Sequence, residues 1–247
     1  HERSSAASDV YKRQIMELGF PVIEDAAHAV DSWYKGKACG NIGDIGIYSF
    51  DAIKNLTTGE GGGVTCRDES RFARAKKLRY CGIGKSGFEA SQNESEGAKK
   101  WWEYDIAEVF IKMLPSDISA GIGLAQLQKI EDHQQYREKI WKRYQDAFAS
   151  ADWITTPVDA DTGEQHSFFT YFIQVTERDQ LANYLLEKGI YTTLRYHPLH
   201  LNPIYGSTAI LPISEELNIT GLNIPLHPNL TEKDVDFIVD SILSFPK

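Results

Sequence analysis

Lys54 stands between a short apolar run, Ile45-Gly-Ile-Tyr-Ser-Phe50, and a glycine cluster, Gly59-Glu-Gly-Gly-Gly63. Upstream, Asp25 ends a second apolar run, Pro21-Val-Ile-Glu-Asp25. A lysine and an aspartate presented by neighbouring strand ends suit chemistry on an aldehyde cofactor. The amine condenses with the aldehyde and, once substrate displaces it, moves a proton between carbon atoms. The carboxylate keeps a pyridine nitrogen protonated, so that the ring remains an electron sink. Those are the demands of pyridoxal phosphate (PLP). Ser49 is placed to donate to a phosphate oxygen, and His28 to lie beside the ring. The glycines permit positive φ and close approach of the backbone. Asp25, at a sheet edge, is expected in a low-dielectric setting, where its pairing with a pyridinium is stronger than between solvated charges.

Each residue has an ordinary alternative. Most lysines are surface amines, an aspartate here could cap the turn that follows, Ser49 could bond nearby backbone, and His28 could be packing. The weight lies in the combination, and in the elements that must bring it together.

From Ile15 the pattern runs helix, strand, connection, strand, which is the signature of α/β units. Strands are expected at Pro21–Glu24, Ile45–Phe50 and Gly62–Cys66, and a basic amphipathic helix at Glu69–Leu78. Gly82–Lys100, rich in Gly, Ser, Asn and charge, reads as a mobile loop. Ser116 or Asp117 is placed to cap a helix. Ala120–Ile130 has the spacing of a buried helix, and Glu131–Ser150 that of a charged amphipathic one long enough to bridge two domains. Beyond Trp153 come an expected strand at Phe168–Val175, a helix at Glu177–Lys188, a strand at Ile190–Arg195, and a last helix at Glu232–Leu243 capped by Thr231.

The fold class is therefore α/β. A partial large domain covers 15–130, with an incomplete mixed, mostly parallel sheet; a bridging helix covers 131–150, and a smaller α+β domain 151–247. Residues 1–14, polar and without periodicity, read as non-native or disordered.

The net charge of −9 argues against a nucleic-acid-binding surface, and no Lys/Arg run marks a local exception. Three widely spaced cysteines, Cys39, Cys66 and Cys81, fit reduced thiols rather than a disulfide framework or a zinc site, so no metal is expected. No apolar run approaches the roughly 20 residues a bilayer span needs, and no signal peptide is visible. The expected location is the cytoplasm.

In order and spacing, Glu24-Asp-Ala-Ala-His28, Tyr34-Lys-Gly-Lys37 with Gly40, Gly43-Asp44, Ser49-Phe50 and Lys54-Asn-Leu-Thr-Thr-Gly-Glu-Gly-Gly62 resemble the DegT/StrS family of sugar aminotransferases. Ser116-Asp-Ile-Ser-Ala120 with Gly121-Ile-Gly-Leu-Ala-Gln-Leu127 looks like the helix that follows in that family. Tyr196-His-Pro-Leu-His200, Tyr205 and Pro225-Leu-His-Pro228 look like its C-terminal landmarks.

The resemblance implies the C-terminal part of a fold-type-I PLP enzyme's large domain, followed by its small domain. It also implies a homodimer whose active sites are shared between subunits. The expected substrates are an amino acid, glutamate, and a nucleotide-linked keto-sugar, in amino-sugar, cell-surface polysaccharide or antibiotic-sugar biosynthesis. Lys54 matches the family's cofactor-linked lysine, Asp25 the partner of the pyridine nitrogen, His28 a residue beside the ring and Ser49 a phosphate contact. Relatives that are dehydratases carry histidine in place of that lysine, so Lys54 favours transamination. Arg195, His197 and His200 are candidates for the substrate side, because the small domain closes over the site in look-alikes.

Two departures stand out. The family's N-terminal half, with a phosphate loop and a ring-stacking aromatic, does not precede Ile15, so the chain reads as N-terminally truncated. Lys112 stands where the family often has an asparagine that reaches the partner's phosphate; a lysine there would act as a point charge. The alternatives are a catalytically incomplete fragment without independent activity, and an amino-cyclitol aminotransferase.

Overall fold

The computed structural model describes residues 14–15, 17–84, 102, 104–194 and 196–246. The chain divides into two compact units between Gln128 and Lys129.

The first unit is built on a three-stranded mixed sheet of β1 (Ile23–Asp25), β4 (Ile45–Ser49) and β5 (Gly62–Cys66), in the order β1-β4-β5. β1 runs parallel to β4, with Asp25 opposite Ile47. β5 runs antiparallel to β4, with Val64 opposite Ile47 and Gly62 opposite Ser49. A small hairpin, β2 (Trp33–Tyr34) and β3 (Lys37–Ala38), lies in the β1–β4 connection. Helix α1 (Glu69–Leu78) follows β5, and Asp68 caps it by accepting the Arg71 amide at 2.9 Å. Helix α2 (Asp117–Leu127) starts at Ser116, whose hydroxyl accepts the Ser119 amide at 3.1 Å. Much of the expected mobile loop, residues 85–100, lies outside the described residues.

Side chains alternate across a strand, so Ile23, Asp25, Ile45, Ile47, Ser49 and Val64 share one face of this sheet. That face is open: Ile23 is 60% and Val64 57% exposed. Helix α2 corrects an expectation. Its sequence is apolar around the whole circumference, which predicts burial, yet none of its residues is buried and Ile118 is 78% exposed. Apolar composition reports a demand for a partner surface, and the described chain does not cover this helix.

The second unit holds the dense core. Strands β6 (Tyr171–Gln174) and β7 (Gly221–Ile224) form an antiparallel pair, with Tyr171 opposite Ile224. Helices α3 (Ile130–Phe148), α4 (Arg178–Glu187) and α6 (Glu232–Leu243) bury Ile140, Tyr144, Leu181, Leu185, Ile238 and Ile242 in one cluster with the strands. A shorter helix, α5 (Pro212–Thr220), leads directly into β7. Thr231 and Asp234 exchange side-chain and backbone bonds as a capping box that starts α6. Among the described residues of the expected strand at Ile190–Arg195, Thr193 forms a bridge with Asn223. Among the described residues no helix is long and apolar enough to cross a membrane.

Tyr171 sits at the centre, with its ring 4.8 Å from Trp141 and 5.0 Å from Tyr144, both edge-on. Its hydroxyl is enclosed and meets no hydrogen-bond partner among the described residues. Burial pushes the phenol well above its ordinary range. An enclosed, unpartnered hydroxyl costs about 1–3 kcal/mol, so Tyr171→Phe is expected to leave stability unchanged or raise it. Urea denaturation checks this; a clear loss of stability in the phenylalanine variant would show that the hydroxyl is engaged.

Candidate functional site

The parallel pairing of β1 and β4 brings their C-terminal ends to the same edge, where open α/β sheets bind ligands. Asp25 is the last residue of β1, and its strand continues through the Ala26 amide, which donates to the Ile47 carbonyl at 2.9 Å. The Asp25 Oδ1 accepts the Ala27 amide at 3.1 Å, so the carboxylate caps the turn that carries His28. Both Asp25 and His28 are exposed. The low-dielectric setting expected for Asp25 is thus absent from the described chain, because the apolar face it shares with Ile23 and Ile47 is open.

Ser49, the last residue of β4, shares that face. Among the described residues its hydroxyl oxygen takes only a 3.5 Å contact from the Asp51 amide, too long for a strong bond. The chain then closes a loop that carries Lys54. The Phe50 amide donates to the Gly61 carbonyl at 2.8 Å, and the Thr58 amide returns to the Phe50 carbonyl at 2.9 Å. Inside the loop the Lys54 amide donates to the Asp51 carbonyl at 3.0 Å. Lys54 is half-buried and its neighbour Asn55 is buried. Helix α2 lies against the loop, since a Cβ on Gly123 would come 2.8 Å from the Thr58 methyl. The backbone thus places Lys54, Asp25 and Ser49 at one sheet edge, Lys54 in a closed loop and the others at strand ends. That donor set fits PLP.

The reverse face is built differently. Glu24 points there and accepts the amides of Gly40 at 3.0 Å and Ile42 at 2.6 Å, together with that of Gly43. The hydroxyls of Tyr48 and Thr65 donate to the carbonyls of Cys39 and Gly40. Burial first, then the Glu24 charge and Cys39, pushes the Tyr48 phenol up, so it stays a donor. Sequence reasoning treated Glu24 only as part of a motif; the glycines at 40, 43 and 46 were the signal that backbone lies close against this face.

Lys112 is exposed in the first unit and forms a bridge with Tyr80. His197 and His200 belong to the second unit. His197 Nδ1 lies 3.3 Å from the Asn218 Oδ1, and His200 Nε2 3.0 Å from the Glu215 Oε1. The Leu211 amide first, and His200 second, hold the Glu215 carboxyl below its usual range. Both histidines are therefore bonded to α5. Arg195 lies outside the described residues.

A second feature went unread. Arg137, expected on the charged face of a helix, is buried. Its guanidinium donates to the carbonyls of Leu226 at 2.9 Å and Phe168 at 3.3 Å. Burial pulls it down to about 10, which leaves it charged at neutral pH. Tyr136 and Tyr144 donate to the carbonyls of Leu230 and Pro225 at 2.6 and 2.8 Å. Helix α3 thereby holds the segment around His227. Burial of part of the imidazole lowers His227 first, the Arg137 charge adds to it, and Asp234 opposes both.

A histidine depressed in the folded state contributes stability above its unfolded value of 6.5, and that contribution is lost as pH falls through the lower folded value. Urea midpoints measured from pH 7.5 downward should decline across this window, and His227→Gln should flatten the decline. An unchanged slope in the variant would assign the effect to other groups.

A model of the DegT/DnrJ/EryC1/StrS aminotransferase family matches residues 9–243. The dTDP-4-dehydro-2,3,6-trideoxy-D-glucose 4-aminotransferase of Saccharopolyspora spinosa is 35% identical over 227 residues, covering 91% of this chain and 58% of its own. Among solved structures, the aminotransferase TlmJ from Streptoalloteichus hindustanus superimposes with a TM-score of 0.84 at 34% identity, over 93% of this chain and 59% of that one. Spr1654 from Streptococcus pneumoniae in its PLP form gives 0.78 at 28% identity, over 90% of this chain and 56% of that one. The chain thus spans less than two thirds of the length of each of these proteins.

Proposed function

Because the chain belongs to the DegT/DnrJ/EryC1/StrS aminotransferase family, we propose that it serves a PLP-dependent transfer of an amino group from an amino acid to a nucleotide-linked keto-sugar. The observation that carries the reading is the shared sheet edge of Asp25, Ser49 and the Lys54 loop. The relatives support the substrate class: one is named for a dTDP-linked dehydro-sugar, and another was solved in its PLP form.

PLP, when bound, supplies an electron sink that stabilises negative charge at the donor's reacting carbon. The chain's own residues do the rest. Lys54 would hold the cofactor through its amine and, once displaced by substrate, would serve as the base that moves a proton between carbon atoms. Asp25, whose Oδ1 accepts the Ala27 amide, would keep the ring nitrogen protonated. Ser49 would donate its hydroxyl to the phosphate, and Lys112 would contact the partner subunit's phosphate as a point charge. His28 borders the ring. Arg195, His197 and His200 form the substrate side in this reading, and glutamate is the donor.

A homodimer with shared sites belongs to the same reading. The uncovered apolar surface of α2 supports an interface between subunits there. All three cysteines are thiols, which suits the reducing cytoplasm.

The test is amino transfer itself. Purified protein, PLP, glutamate and dTDP-linked 4-keto-sugars should yield an aminated nucleotide sugar detectable by mass spectrometry. No amination with any donor and any nucleotide-linked ketone would overturn the reading.

A further inference from the structure

We propose that Glu24 is a positioning residue for the cofactor site, acting through the backbone on the reverse face of the sheet. The inference rests on the PLP reading above and deepens it. Asp25 presents its carboxylate from a three-residue strand that is paired through hydrogen bonds only with β4 among the described strands. A shift of β1 along β4 would carry Asp25 away from the pyridine nitrogen.

Glu24 is the residue next to Asp25 and faces the other way. Its carboxylate gathers the amides of Gly40, Ile42 and Gly43, a concave nest of backbone donors that suits an anion. Bonds to an ionised acceptor are roughly twice as strong as neutral ones, so this grip is firm for its size. The gripped loop is itself fixed to the rest of the sheet. Tyr48 of β4 and Thr65 of β5 donate to its carbonyls. Arg67, just past β5, adds bonds to the carbonyls of Asn41 and Ile42 at 3.2 and 3.1 Å.

The loop lies flat on the strands. A Cβ on Gly43 would stand 2.8 Å from the Val22 carbonyl, and one on Gly46 would overlap the Gly40 carbonyl. Glu24 therefore ties β1 to β4 and β5 from behind. The position of Asp25 relative to Ser49 is set on one face by bonds made on the other.

The experiment reads the loop and the cofactor separately. In Glu24→Gln, hydrogen exchange of the Gly40–Gly43 amides should quicken at least about tenfold. PLP should remain reducible onto lysine by borohydride, while its affinity falls on the order of tenfold and its visible band shifts in the direction produced by Asp25→Asn. Thr65→Val, which loosens the loop from β5 and leaves Glu24 intact, should shift the band the same way by less, and this variant carries the test should Glu24→Gln fold poorly. A band and affinity unchanged from wild type, with loop amides loosened, would mean that Glu24 holds the loop and nothing more. A wild-type protein that takes up no PLP would instead remove the reading on which the inference rests.

Discussion

Lys54→Ala is expected to abolish covalent attachment of PLP and to slow amino transfer by at least about 10²–10⁴-fold, the range that a positioned proton-transfer group contributes. The loss of the covalent anchor adds to this. The expectation is specific to this lysine because of where the backbone puts it. Lys54 is half-buried in a loop closed by Phe50, Thr58 and Gly61, immediately after the strand that carries Ser49. Lys37, Lys76 and Lys77 are exposed, and a surface amine lacks a fixed direction. Lys54→Arg should be as inactive as the alanine variant. A guanidinium keeps the charge but is not deprotonated in proteins, so it offers no nucleophile. Activity within tenfold of wild type in either variant would place the covalent anchor elsewhere.

Tyr144→Ala is expected to cost about 3–5 kcal/mol, the range for removing a large buried aromatic. Tyr144 is fully buried, stacked on Phe148 at 5.9 Å and edge-on to Tyr171. Its hydroxyl also holds the Pro225 carbonyl. Tyr144→Phe separates the two contributions and should cost only about 0.5–1.5 kcal/mol, the value of one net hydrogen bond. Against a total of about 5–15 kcal/mol for an ordinary domain, the alanine variant removes a large share of the second unit's stability. Urea midpoints of the two variants decide the matter. Equal losses would mean that the bond to the 225–230 segment, and not ring packing, dominates.

Much of this architecture was legible in the residues. The helix starts at Ser116 and Thr231 were, because a capping hydroxyl accepting a main-chain amide is a local device whose parts are neighbours in the chain. The strands at β1, β4 and β5 were, since short apolar runs ending in turn residues have few other uses. Strand β7 was not. All four of its residues are buried, so it shows no alternation, and it follows α5 without a connecting loop. The expected strand at Ile190–Arg195 failed for a related reason. Tyr191 is 73% exposed, and among its described residues only Thr193 bridges to β7.

In the site, the residues legible in advance are those whose side chains carry chemistry: Asp25, Ser49 and Lys54. The supporting residues were hidden because their partners are main-chain groups, which have no letter of their own. Glu24 looked like a polar residue in a strand, yet its acceptor role is met by amides well beyond it in the chain. Arg137 looked like solvated helix surface, yet its guanidinium serves two carbonyls in the core. Periodicity says which face of an element a residue occupies, and is silent on which distant backbone will meet it there.

The most direct test of the account is to incubate the purified protein with PLP, reduce with borohydride, and map the modified peptide by mass spectrometry. The account predicts a pyridoxyl group on Lys54, in the peptide between Phe50 and Arg67. A label on any other lysine, or none on the reduced protein, would contradict it.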